Sequence, residues 1–141
     1  MLNSACFFNS TFCLQNVQNF AARIITSSRK FDHINPVLTE LKCLPVESML
    51  IYRDCILVFK CLRGLAPDYL AKKFKNRSNI HNKNTSNKNK MEIPGYRTAA
   101  GQRTFNYRAV SLWNSLPEML AELTNLASFK KELRLHLQRY I

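Results

Sequence analysis

Residues 72–90 read KKFKNRSNIHNKNTSNKNK, a stretch of nineteen with seven basic side chains, six asparagines, no acid and only Phe74 and Ile80 as large apolar groups. Such a stretch buries too little apolar surface to offset the entropy of ordering it, so residues 75–91 are expected to be a disordered loop or linker. Any core must then come from the two flanking blocks. Those blocks are close to neutral, at +2 for residues 1–71 and +3 for residues 91–141, while the tract carries +7 of the formal +12.

A chain of 141 residues suits one domain. Its hydrophobic fraction of 46% is that of a globular protein, and three glycines with five prolines are too few for a turn-rich sandwich or barrel. The expected class is all-α: a small irregular helical domain of about five to six helices with a basic loop in its middle. Its parts are a lead-in at 1–13, a helical block at 14–74, the linker at 75–91, and a second helical block at 92–141 packing on the first.

Periodicity supplies the elements. Leu14, Val17, Ala21, Ile24 and Ile25 recur at three- and four-residue steps and share one face of a helix over about 14–26. Pro36 sits in the first turn of a short helix with Val37, Leu38 and Leu41 on its apolar side, and Leu44-Pro45 closes that segment. Residues 46–62 form the most apolar run and the expected central helix, with Gly64 as its C-cap. On that helix Val46, Leu50, Ile51, Leu57, Val58, Cys61 and Leu62 share a broad face, and Asp54 falls inside it. A carboxylate there is costly unless paired, so either an arginine meets Asp54 or the helix is less buried than its pattern suggests. Pro67 opens a short helix with Tyr69, Leu70 and Phe74, and 91–94 reads as briefly extended. Phe105, Val110, Leu112, Trp113 and Leu116 form an apolar anchor ended by Pro117. In the last helix Ser128 is the expected cap, with Phe129, Leu133, His136 or Leu137, and Tyr140 along one side.

Catalytic chemistry finds no footing in these residues. His33, His81 and His136 lie on separate elements, and Cys6, Cys13, Cys43, Cys55 and Cys61 never form a Cys-x-x-Cys pair, so neither a metal site nor a disulfide framework is expected. Glycine-rich phosphate loops, nucleophile elbows and paired aspartates are absent, so no enzyme and no cofactor are expected. The first thirteen residues contain no Lys or Arg and are too short and polar to span a membrane, so the expected location is intracellular, in cytoplasm or nucleus.

The positive balance suits a polyanion partner. Arg23, Arg29, Lys30, Lys72, Lys73 and Lys75 are the expected contacts to RNA or DNA phosphate. For the tract, weak phosphate contact and a merely solvated loop weigh evenly. Tyr96, Tyr107 and Trp113 could stack on bases, but their apolar neighbours favour a core role.

Four blocks and their order carry a resemblance: FAARIITSSRKFDHI at 20–34, LPV at 44–46, CLRGLAPDYL at 61–70, and RTFNYRAVSLWNSLP at 103–117, followed by SFKKELRLHL at 128–137. This succession resembles the extreme C-terminal region of the reverse-transcriptase polyproteins of jockey-like, non-LTR retrotransposons, over about residues 14–74 and 92–141. The resemblance implies a segment lying beyond the polymerase motifs, without catalytic residues to carry over. It implies an accessory module that helps hold template RNA or target DNA, with the polymerase region of an intact relative as a further partner. Residues 1–13, Asp54 and the Lys/Asn-rich 76–90 depart from that pattern, as in a truncated, drifting copy. The alternative expectation is a small helical protein-interaction or structural module without a nucleic-acid role.

Overall fold

The computed structural model describes residues 4–75 and 90–139, with side chains from residue 11 onward. Eight helices run through these residues: α1 Ser4–Thr26, α2 Ile34–Glu40, α3 Val46–Leu62, α4 Asp68–Ala71, α5 Ala99–Gln102, α6 Phe105–Ser115, α7 Glu118–Ala121 and α8 Leu126–Gln138. The chain is all-α, as its glycine-poor composition requires. The loop expected between the two blocks falls almost wholly on residues 76–89 and lies outside the described residues.

The chain divides into two compact units, one of residues 1–51 with 135–141 and the other of residues 52–134. The division does not follow the two sequence blocks, since it crosses within α3 and within α8.

In the first unit, α1 starts at Ser4 rather than near Leu14, because no glycine or proline interrupts residues 4–26. The larger departure concerns its orientation. Leu14, Val17, Ile24 and Ile25, which share the apolar face, are exposed, and the residue that packs is Ala22, in a small core with Val37 and Leu38 of α2. At 3.6 residues per turn the apolar arc and the packing arc are centred roughly 100° apart. The polar side wins because it has specific partners. Gln15 Oε1 accepts from the Val46 N–H at 2.8 Å, and Gln18 Nε2 donates to the Leu44 carbonyl at 2.8 Å. Gln15 is itself held by donating to Gln18 Oε1 at 2.9 Å and Asn19 Oδ1 at 2.8 Å. The first turn of α3 has N–H groups with no intrahelical acceptor, and a side chain 31 residues earlier supplies one.

Both α1 and α2 end in left-handed caps on non-glycine residues, Ser27 at φ 54° and Lys42 at φ 53°. The closing bonds run from Ser28 N–H to the Arg23 carbonyl at 3.1 Å and from Cys43 N–H to the Leu38 carbonyl at 2.8 Å. This is the Schellman pattern, built without the glycine that makes such an end legible in sequence. At the end of α3 the same pattern uses Gly64 at φ 69°, with Leu65 N–H donating to the Lys60 carbonyl at 2.8 Å.

The second unit holds the larger apolar interior. From α3 come Cys55, Val58, Phe59 and Cys61, from α6 Ala109, Val110 and Trp113, and from α8 Phe129 and Leu133, all buried. The Phe59 and Phe129 rings stack with centroids 4.4 Å apart, and Trp113 lies 5.8 Å from Phe129. Trp113 is therefore a core residue. Phe74 packs edge-on against Phe105 at 6.2 Å. The buried arc of α3 is turned toward Phe59 relative to the expected face, which leaves Leu50 exposed at the rim.

Two short helices, α5 and α7, have no counterpart in the periodicity because a single turn cannot display a 3.6-residue repeat. Thr98 caps α5 by accepting from the Gly101 N–H at 3.2 Å. A side chain at Gly101 would meet Tyr96, whose Cβ lies 2.7 Å from the position of an added Cβ. The cap of α8 is Asn125, whose Oδ1 accepts from Ala127 N–H at 2.8 Å. Ser128, the expected cap, lies inside the helix, so the start moves back by about one turn. Leu137 rather than His136 is the buried member of its pair, and Tyr140 lies outside the described residues.

Candidate nucleic-acid interface

The six basic residues expected to contact phosphate fall into two groups, one in each unit. In the first, α1 ends at Thr26 and the chain turns through residues 27–33 before α2. Arg23 folds over this turn, with Nη2 donating to the Asp32 carbonyl at 2.7 Å and Nε to the Arg29 carbonyl at 3.3 Å. Asp32 returns the tie by accepting from the Arg29 N–H through Oδ2 at 2.8 Å. Arg23 thus organises the loop, and the groups it presents to solvent are Arg29, Lys30 and Phe31. The Phe31 ring is 92% exposed, with Lys30 Nζ 5.9 Å from its centroid.

An exposed aromatic face between cations is the arrangement that single-stranded nucleic acid uses, stacking a base while phosphates meet the charges. Periodicity gave no reason to single out Phe31. The signal available was the local string Arg29-Lys30-Phe31, an aromatic directly beside two cations in a segment where no helix was expected.

In the second unit, Lys72, Lys73 and Lys75 follow the end of α4 and are exposed. Tyr69, one turn earlier, is 68% exposed. It stands three and four residues before Lys72 and Lys73, so it repeats the pairing of an aromatic with cations. Tyr96 and Tyr107 belong to a ring pair with centroids 6.4 Å apart, and Tyr96 is further committed by its close approach to Gly101.

The one carboxylate that challenged the helix pattern has its arginine. Arg108 Nε donates to Asp54 Oδ2 at 2.9 Å, with the Asp54 side chain 16% exposed and that of Arg108 44% exposed. A pair open to water on one side contributes little net stability, about 1 kcal/mol or less. Its role is to make the carboxylate tolerable on α3.

Burial pushes the Cys55 thiol up to about 12 from its ordinary 9.0, and the neighbouring Asp54 charge adds to the effect. Cys61 is raised by burial as well. Both act as small hydrophobic groups rather than nucleophiles. Because the folded state holds the Cys55 proton more tightly than the unfolded chain, its contribution to stability is complete below pH 9. It is lost progressively as the pH rises from 9 toward about 12. Cys55→Ala should therefore show a shallower loss of stability over that range than the parent, measured as unfolding free energy in urea. Equal slopes would mean that the thiol is not shielded.

Among the described residues no group of three or more His, Cys, Asp or Glu side chains could hold a metal ion, and no helix is long and apolar enough to cross a membrane. No family model matches the chain, and neither curated proteins nor solved structures give a match.

Proposed function

We propose that this chain is a non-catalytic remnant of a retrotransposon reverse transcriptase, derived from its C-terminal accessory region, with weak sequence-independent affinity for RNA or DNA. The origin rests on the order of the four sequence blocks. The affinity rests on one observation, the outward-facing Arg29-Lys30-Phe31 turn, with the Tyr69, Lys72, Lys73 and Lys75 surface as a second instance of the same chemistry. In this reading the cations neutralise phosphates and release counterions, while Phe31 and Tyr69 provide faces on which any base can stack. Nothing in such a surface selects a base edge, so little sequence preference is expected.

Fluorescence anisotropy with labelled single-stranded RNA, titrated across a range of salt, tests the affinity. Binding should weaken steeply with salt. Replacing Lys72, Lys73 and Lys75 with alanine should reduce the slope of log K against log salt by up to about 2 on single strands. Phe31→Ala should weaken binding about tenfold without changing that slope, since stacking contributes about 1–3 kcal/mol per base and involves no counterions. Absence of binding at low salt, or binding indifferent to salt, would sink the proposal. The origin is tested separately by reading the genomic DNA upstream of the Met1 codon for a degraded polymerase frame.

A second reading, a helical interaction module without a nucleic-acid role, is favoured by the exposed apolar side of α1.

A further inference from the structure

We infer that the outer face of α1 is a self-association surface, on which a second copy of this chain docks its own α1. The inference narrows the second reading above to one occupant and rests on the surface that reading invokes. Leu14, Val17, Phe20, Ile24 and Ile25 share one arc of the helix and are each between 56% and 69% exposed. Together they present on the order of 600 Å² of accessible apolar surface, the same scale as the roughly 800 Å² that one partner buries in a standard interface. Isolated exposed hydrophobics need no explanation, but five on adjacent turns along one arc of a helix form a contiguous patch of the size that marks an interaction site.

The charge distribution selects the occupant. The chain carries a formal +12, yet α1 has a single charged side chain, Arg23, and that guanidinium is turned onto the residue 29–32 loop. A nucleic acid or an acidic protein would find no cation on this face. An interfacial lipid-binding helix would need Lys and Arg along its polar side, whereas the polar side of α1 is occupied by Leu44 and Val46. Residues 76–89, outside the described part, offer Ile80 as their one large apolar side chain and lack the composition to cover the patch. An identical uncharged face meets every requirement. Related by a two-fold axis, it is self-complementary and brings two strongly basic chains together where neither carries charge.

This arrangement has a salt dependence opposite in sign to nucleic-acid binding. Screening relieves the repulsion between two chains of like charge, so association should strengthen with salt, whereas phosphate contacts weaken. Sedimentation velocity over a range of protein concentration and salt reads it directly. The parent chain should sediment as a concentration-dependent dimer, more fully at high salt. Val17→Glu with Ile24→Glu should be monomeric, with unchanged helix content by circular dichroism, because both positions are solvent-facing in the single chain. A readout without substitution is the alkylation rate of Cys13, an exposed thiol on α1, which should fall as protein concentration rises.

A parent chain that stays monomeric throughout overturns the proposal. If that monomer binds an apolar dye and the double variant does not, the surface remains but the second copy is the wrong occupant. If neither binds dye, the interaction reading falls with it. Monomer binding to neutral phospholipid vesicles, abolished by the double variant, would overturn the proposal in favour of a lipid surface.

Discussion

Phe129→Ala should lower the stability of the chain by about 3–5 kcal/mol, the usual cost of truncating a fully buried aromatic. Phe129 is fully buried, stacked on Phe59 at 4.4 Å and within 5.8 Å of Trp113. Removing its ring takes the shared member from both aromatic contacts and leaves a cavity that rigid neighbours cannot close. A total stability of about 5–15 kcal/mol makes this about a fifth or more of what holds a domain together. The midpoint of thermal unfolding should fall by about 10–20 °C in a chain of this size. Phe129→Leu, which keeps most of the volume, should recover part of the loss. A change below about 1 kcal/mol for the alanine variant would show that α3, α6 and α8 do not meet at this ring.

Asn114→Leu should cost about 2–4 kcal/mol through a different mechanism. The Asn114 amide makes a reciprocal clamp on one backbone residue: Oδ1 accepts from Met91 N–H at 2.8 Å, and Nδ2 donates to the Met91 carbonyl at 3.0 Å. Met91 itself is fully buried, so water is not at hand to replace either bond. An orphaned backbone donor or acceptor costs about 1–3 kcal/mol each, and leucine leaves both. Amide hydrogen exchange gives the specific readout. The Met91 amide should be protected in the parent and exchange rapidly in the variant, while the α8 amides keep more of their protection. Uniform loss across the chain would instead mean that the substitution acts by disrupting α6 itself.

These two predictions rest on features of unequal legibility. Phe129 was readable from its place in the Phe129, Leu133, Leu137 repeat, because an amphipathic helix declares its apolar stripe. Asn114 was not. It is one polar residue between Trp113 and Ser115, and only the path of residues 90–92 gives its amide two backbone partners. The candidate interface divides in the same way. The basic residues were countable in the chain, but that Arg23 would spend its donors on the carbonyls of Arg29 and Asp32, while Phe31 stood out in solvent, depended on how the loop closed. Asp54 is intermediate. Its misfit on α3 was visible at once and called for an arginine, yet Arg108 lies 54 residues away and no local rule names it.

Local chemistry by itself determined that the chain is helical, that α3 runs from just after Leu44-Pro45 to the Gly64 cap, and that α2 follows His33. It could do so because proline and glycine act on the residues beside them. Only the tertiary structure decided which side of α1 would be covered. Periodicity shows that Leu14, Val17, Ile24 and Ile25 share a face, but burial needs a partner. Within this chain the bare N-terminus of α3 was met by Gln15, and the Leu44 carbonyl just before it by Gln18. The apolar stripe of α1 was left facing outward because an unmet backbone hydrogen bond is local and directional, whereas apolar surface can be covered by any matching surface, including one on another molecule.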